Sequence, residues 1–330
     1  MLEFRTAGIN PYNVKYSPFF DNRLAVGGGA NYGIVGNGRL YILSLTPKGV
    51  VCDRIFETQD CLFDIAWSEQ HENQVLTAGG DGKIKLFDFG VPDFPVAAWQ
   101  AHGREIFAVD WNMVQKDCFL SCSWDGMTKA WSPERQDPII TLPVHSCVYS
   151  AEFSPHHANI VTCVSQDSHL RVFDLRTKDL LTLAIPIHGR PVSAGALSGV
   201  EPSECLTHDW NKYNDSIIGT GSVDGKVRVF DLRQPAGPLR VMAGHEYAVR
   251  RVSWSPHLSD TLLSASYDMS CRIWNDGSNG MHPAREVGRM DRHTEFAMGT
   301  DWCLFGAEGW CATCAWDERV LIWDVREFMK

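Results

Sequence analysis

Three groups of residues in this chain have types and spacings that suggest chemistry. His102, Ser121 and Asp125 have the make-up of a nucleophilic triad, in which a base activates a hydroxyl and an acid orients the base. Cys311-Ala312-Thr313-Cys314 has zinc-knuckle spacing. Gly27-Gly28-Gly29 and Gly33-Ile34-Val35-Gly36-Asn37-Gly38 resemble at first sight a loop that cradles a pyrophosphate.

Each group fails on its context. A catalytic constellation need occur once, whereas His245, Ser264, Asp268 and Trp274 repeat the pattern of His102, Ser121, Asp125 and Trp131. A recurring His, Ser, Asp and Trp is instead expected to form a buried hydrogen-bonded chain, tolerated because every member is satisfied. The cysteine pair has no second Cys or His pair at a ligand distance, and residues three apart on a strand face opposite sides. A phosphate loop must open a helix, but Arg39-Leu40-Tyr41-Ile42-Leu43 continues as a strand, so these glycines serve a hairpin. His156-His157, after Ser154-Pro155, reads as a solvated turn. The expectation is no cofactor, no metal and no enzyme.

The elements that carry these residues repeat. Leu262 to Asn275 reads as two short strands around a turn at Asp268, preceded by Gly244-His245 and a strand from Val249 to Trp254. Turn residues Asn37, Asp81, Asp125, Asp167, Asp224, Asp268 and Asp317 are each followed, six positions on, by Leu43, Phe87, Trp131, Phe173, Phe230, Trp274 and Trp323. A period of about 40–45 residues, Gly-His at one end and Trp-Asp at the other, is the mark of a WD-repeat blade. Seven such units predict an all-β, seven-bladed propeller filling residues 1–330 as one domain, because no blade buries both its faces alone. Leu2 to Thr6 alternates like a strand but precedes the first unit, and the chain ends soon after Trp323-Asp324. That first strand is predicted to complete the last blade. The spacing stretches most between Phe173 and Phe230, where a Gly-, Pro- and Ser-rich insertion near residues 185–205 reads as a surface loop.

Composition narrows the partners. A formal net charge of −10 argues against nucleic acid, whose binding needs Lys and Arg against phosphate. The eleven cysteines show no scaffold spacing and read as reduced thiols of a cytosolic protein. Met1 to Gly8 lacks the apolar core of a secretory signal, and no run approaches the roughly 18 residues of a transmembrane helix. A soluble protein without membrane insertion is expected.

What remains is the narrow face of the ring. The starts of the inner strands and the residues before the turn acids point there: Phe63, Phe107, Trp124, Tyr149, Leu206, Tyr267, Phe296, Met298 and Trp316. Asp60, Asp64 and Glu105 are placed near one edge. An apolar floor flanked by carboxylates suits an amphipathic helix carrying an Arg. A rival reading comes from Phe173-Asp174-Leu175-Arg176, Phe230-Asp231-Leu232-Arg233 and Trp323-Asp324-Val325-Arg326. These resemble the motif by which propellers dock, as substrate receptors, on the cullin-4 ubiquitin ligase adaptor. The plainer expectation is that each Arg pairs with a neighbouring acid.

Longer phrases carry a closer resemblance. Asn13 to Val26, Asn31 to Gly38, Phe63-Asp64-Ile65-Ala66-Trp67 with His71-Glu72-Asn73-Gln74, and Ser264 to Met269 resemble the peroxin-7 family across the whole chain. These are receptors for the type 2 peroxisomal targeting signal. The resemblance implies an import receptor for matrix proteins that moves between cytoplasm and peroxisome. It implies cargo bearing a short N-terminal helix, with an Arg-Leu pair and a His-Leu or Gln-Leu pair separated by five residues. Seven-residue spacing sets both pairs on one helical face. It further implies that Asp60 and Glu105 meet the signal's Arg, and that a co-receptor peroxin and a peroxisomal docking complex take part.

Overall fold

The structure is a computed structural model that describes all residues except Val35, Pro92, 189–202, Met281, Ala307 and Lys330. Among the described residues the strands form seven four-stranded antiparallel sheets. Six are meanders built in chain order. The innermost strands of blades one to seven are Asn10–Tyr16, Leu62–Trp67, Ile106–Trp111, Val148–Phe153, Cys205–Trp210, Val249–Trp254 and Ala297–Trp302. Each contacts the inner strand of the next blade, and Asn10–Tyr16 contacts Ala297–Trp302, so the ring closes.

Closure uses both ends of the chain. Leu2–Arg5 lies against Arg319–Asp324, with Leu2 opposite Ile322 and Arg5 opposite Arg319. The expected strand is therefore the outer strand of blade seven, and it covers an edge that would otherwise be open. The sequence units end at the third strand of each blade. The fourth strands, such as Ala97–Gln100 and Arg240–Ala243, lie in the linking stretches between units. Of the insertion near residues 185–205, the flanks belong to Leu181–Pro186 and Cys205–Trp210, and 189–202 lie outside the described residues.

The polar constellations are structural. In blade three His102 Nδ1 is 2.9 Å from Asp125 Oδ2, its Nε2 is 2.7 Å from Ser121 Oγ, and Trp131 Nε1 donates to that Oγ at 2.9 Å. Blade six repeats this through His245, Asp268, Ser264 and Trp274, with distances of 2.7–2.8 Å. Blade seven holds a third copy, looser at 3.0–3.2 Å, built from His293, Asp317, Thr313 and Trp323. Ser121 is fully buried beneath Trp131, so no substrate reaches its hydroxyl. Cys311 and Cys314 face different cores, one packed with blade six and the other with blade one.

Charge is concentrated on the inner strands, where it fastens one blade to the next. Asp110 of blade three accepts the Phe153 amide of blade four at 2.8 Å. Asp209 accepts the Trp254 amide at 2.6 Å, and Asp301 accepts the Tyr16 amide at 2.8 Å. Asp64 accepts the Val109 amide at 3.1 Å, is bonded by Asn13 Nδ2 of blade one, and takes Arg251 Nη2 from blade six at 2.8 Å. Asp64 therefore does not stand at an edge of the narrow face: it is 2 % exposed, inside the channel, and its oxygens are occupied.

Two outcomes follow. Asp268→Ala orphans His245, the Glu246 amide and Ser270, and should cost about 1–3 kcal/mol of unfolding free energy without altering the narrow face. An unchanged denaturant midpoint would remove Asp268 from the network. Asp110 has its acidity lowered by burial, which lifts its pKa from 3.8 to about 7 against the opposing Phe153 hydrogen bond. A folded pKa above the unfolded one means that stability is fully present below about 3.8 and is lost as pH rises to about 7. Asp110→Asn keeps an acceptor for the Phe153 amide and removes that loss. Its melting temperature relative to the parent should climb between pH 4 and pH 7 and then level off; a constant difference would mean that Asp110 is ionised throughout.

Candidate functional site

The side chains of the narrow face are aimed by a repeated backbone irregularity. In every inner strand the register with its neighbour slips by one residue near the narrow end. The residues inside these bulges are Tyr12, Phe63, Phe107, Tyr149, Leu206, Arg250 and Met298. A bulge leaves its extra residue outside the ladder and turns the side chain out of the alternating pattern. The seven residues form a collar around the narrow mouth, one from each blade. Each lies four positions before the aromatic that ends its strand.

Aromatic contact runs through most of this collar. Tyr149 meets Phe107 edge-on with centroids 6.0 Å apart, and Phe107 stacks on Trp124 at 4.6 Å and on Phe63 at 4.8 Å. Phe63 meets Tyr12 at 5.1 Å, Tyr12 meets Trp316 at 5.6 Å, and Trp316 leads through Phe296 at 5.3 Å to Tyr267 at 4.9 Å. The arc thus joins blades four, three, two, one, seven and six. Phe107, Trp124, Tyr149, Tyr267, Phe296 and Trp316 keep part of their surface open. Phe63, Leu206 and Met298, expected on the surface, are 9 %, 8 % and 1 % exposed, and Phe63 and Met298 pack with Tyr12 and Cys61 beneath the open rings.

Tyr12 and Tyr32 are members that the sequence reading passed over. Tyr32 is 49 % exposed and its ring lies 5.3 Å from Trp316. Its left-handed backbone, φ 57°, is costly for a residue with a Cβ. Three bonds hold it there: its amide donates to Asn10 Oδ1, its carbonyl accepts the Tyr12 hydroxyl at 2.6 Å, and Asn10 also donates to the Trp316 carbonyl. The glycine-rich stretch is the hairpin carrying this loop, with Gly29 opposite Gly38. A Cβ on Gly38 would lie 2.3 Å from the Asp60 carbonyl oxygen, so glycine lets blade one close on the segment bearing Asp60.

Asp60 and Glu105 stand half-buried at the rim of blades two and three. Asp60 Oδ1 accepts the Cys61 amide at 2.7 Å, which fixes its carboxylate. Among the described residues the one charged partner of Glu105 is Arg104, 3.8 Å away and itself 5.8 Å from the Trp124 ring. A third acid, Glu204 of blade five, is engaged by the Tyr149 hydroxyl at 2.7 Å and by Gln166 at 3.0 Å. The rim therefore offers two carboxylates beside a continuous apolar floor.

A cavity of about 230 Å³ opens at the other end of the channel, lined by Lys15, Asp64, Asp110, Glu152, Asp209, Lys212, Arg251 and Asp301 among others. Most of these charges are already committed to blade-to-blade bonds, and the aromatics of this lining, Trp67, Trp111, Phe153, Trp210, Trp254 and Trp302, are buried, whereas the rings of the narrow face keep open surface. The narrow face is the better candidate for a partner. On the flank, Arg176, Arg233 and Arg326 each fork onto the Asp of their own motif, at 2.7, 2.8 and 2.6 Å. That pairing accounts for the aromatic-Asp-x-Arg motifs without a partner.

The repeat family described as WD domain, G-beta repeat matches residues 136–174 and 236–275. A Saccharomyces cerevisiae protein named peroxisomal targeting signal 2 receptor is 39 % identical, covering 98 % of this chain and 99 % of its own length. Arabidopsis thaliana peroxisome biogenesis protein 7 is 40 % identical over 96 % of both chains. The human peroxisomal targeting signal 2 receptor is 34 % identical over 89 % of this chain and 86 % of its own. With that extent of identity, and the seven-bladed ring that carries it, the chain belongs to the family of peroxisomal targeting signal 2 receptors.

Proposed function

We propose that this chain is an import receptor. It binds the N-terminal type 2 signal helix of peroxisomal matrix proteins on its narrow face and, with a co-receptor, delivers them through the docking machinery while moving between cytosol and peroxisome. The observation that carries the reading is the unbroken aromatic arc with Asp60 and Glu105 at one rim. An amphipathic helix laid on the arc buries its apolar stripe, and an Arg near its start reaches the two acids. Burying one apolar side chain contributes roughly 1.5–3 kcal/mol, against about 0.2–1 kcal/mol for an exposed ion pair. The floor supplies affinity, and the acids fix register and exclude wrong partners.

Glu105→Lys is the cleaner electrostatic test, because among the described residues no backbone amide donates to the Glu105 carboxylate, whereas that of Asp60 holds the Cys61 amide. The variant should melt like the parent yet lose anisotropy-detected binding of a labelled signal peptide. Asp60→Lys should lose binding too, with a small stability cost. Unchanged binding by folded Glu105→Lys removes the acid from the site.

A second outcome concerns affinity. A short helix lying on one face covers far less than the roughly 1,600 Å² of a standard interface, and it must be ordered from a flexible terminus. A co-receptor laid over it would bury its remaining apolar side without a second ordering cost. Peptide and co-receptor should each raise the other's affinity by the same factor. Titrating the labelled peptide with and without the co-receptor fragment measures that factor, and equal affinities would show that the face holds the signal unaided.

A further inference from the structure

The collar contains one charge. Six bulge residues are apolar or aromatic; the seventh, in blade six, is Arg250. It is 5 % exposed, and its Nη2 is buried without a hydrogen-bond partner. Among the described residues no acid lies within ion-pair distance of it, and no aromatic ring lies under its guanidinium. Its sequence neighbour Arg251 is the opposite case. Arg251 takes Asp64 at 2.8 Å, so the one carboxylate deep in this part of the channel is already spent. Arg250 faces Tyr12 and Tyr267 electrostatically, with Arg251 as a like charge and Asp64 as a distant opposite one. Burial and Arg251 both work against its charge.

A buried cation without a partner is expensive, and a ring that keeps one has left a bond open. Its place in the ring shows what kind of bond. The free acids Asp60 and Glu105 stand at blades two and three, and Arg250 lies across the mouth at blade six. The face is therefore negative on one side and positive on the other. The guanidinium fork matches a carboxylate in two parallel bonds, and a desolvated charge pair of this kind slows dissociation.

We propose that Arg250 is a carboxylate-receiving subsite of the narrow face, filled by an Asp or Glu side chain of the peptide segment seated on the collar. The segment's Arg then meets blades two and three while its acid meets blade six, and the two contacts fix its direction. This rests on the receptor reading for the identity of the segment, but not for the existence of the subsite.

The first measurement needs no ligand. Arg250→Met places at blade six the residue that blade seven carries at the equivalent point, Met298, which is 1 % exposed. If the arginine is unsatisfied in the free chain, the variant melts above the parent. A variant that melts below it would show that Arg250 is bonded internally, and the subsite falls. The second measurement walks a single Glu, with Gln as its control, along a labelled signal peptide outside the two recognition pairs. At one position Glu should bind the parent roughly tenfold more tightly than Gln, with no such gain on Arg250→Met; tenfold corresponds to about 1.4 kcal/mol. Binding at every position with no gain that depends on Arg250 overturns the proposal. If the unaltered signal peptide does not bind the parent, the receptor reading fails instead. The subsite is then decided by melting in succinate substituted for chloride at constant ionic strength: a rise in the parent alone upholds it, and no rise refutes it.

Discussion

The constraint on which this ring depends is the free inner edge of its seven innermost strands. Each pairs on one side only, so its other edge presents amides to a narrow channel. Unpaired backbone groups cannot be left there. The chain meets the constraint with side chains of the neighbouring blade: Asp110, Asp209 and Asp301 accept the amides of Phe153, Trp254 and Tyr16, and Asp64 accepts that of Val109. Each such bond joins two blades. The demand for acceptors and the fastening of the ring are thus one interaction. Burial raises the pKa values of Asp110, Glu152 and Asp301, and neighbouring carboxylates add to the rise. Lys15 and Lys212 reach in to offset them.

The same edge explains the narrow face. Where the inner strand reaches the mouth, its ladder slips by one residue in every blade, and the bulged side chain points at the opening instead of into a blade-to-blade core. A propeller can thus carry a partner-facing collar that costs its core nothing, since the cores are filled by the residues on either side of the bulge. Leu62 and Ile65 of blade two pack into the core with Leu40 and Phe87, while Phe63 between them turns to Tyr12 and Phe107.

This division decides what was legible in the sequence. The turn acids and closing aromatics recur at fixed spacing because each answers a local demand within one blade, so the repeat and its count can be read without coordinates. The N-terminal strand was legible for a similar reason: a blade short of one strand and a strand without a blade imply each other. Part of the face was legible too, because Trp124, Tyr267 and Trp316 precede turn acids whose position is fixed. Asp64 was misplaced because alternation along Leu62–Trp67 does not survive the bulge, which puts it in the channel beside Arg251. Tyr12 and Arg250 were missed by the same cause, and aligning the inner strands on their terminal aromatics would have found both. The third polar tetrad, around His293, escaped because Arg292 stands where the other two tetrads have Ala101 or Gly244 before the histidine.

The channel and the collar also divide the charges by what is left for them to do. Lys15, Asp64, Asp209, Lys212, Arg251 and Asp301 deep in the ring are paired, so they specify how the blades assemble and have little left to offer a partner. At the narrow mouth the balance changes: Asp60 and Glu105 keep open surface, and Arg250 is desolvated without a counter-charge. A net charge of −10 over the whole molecule therefore says little about what this face prefers. Its preference follows from where unspent charge meets the aromatic arc. The arc joins Tyr149 to Tyr267 through rings in contact, so it is stiff, and a partner docking on it orders few receptor side chains. A stiff apolar surface bounded by opposite charges on opposite sides suits one short, directional, amphipathic element.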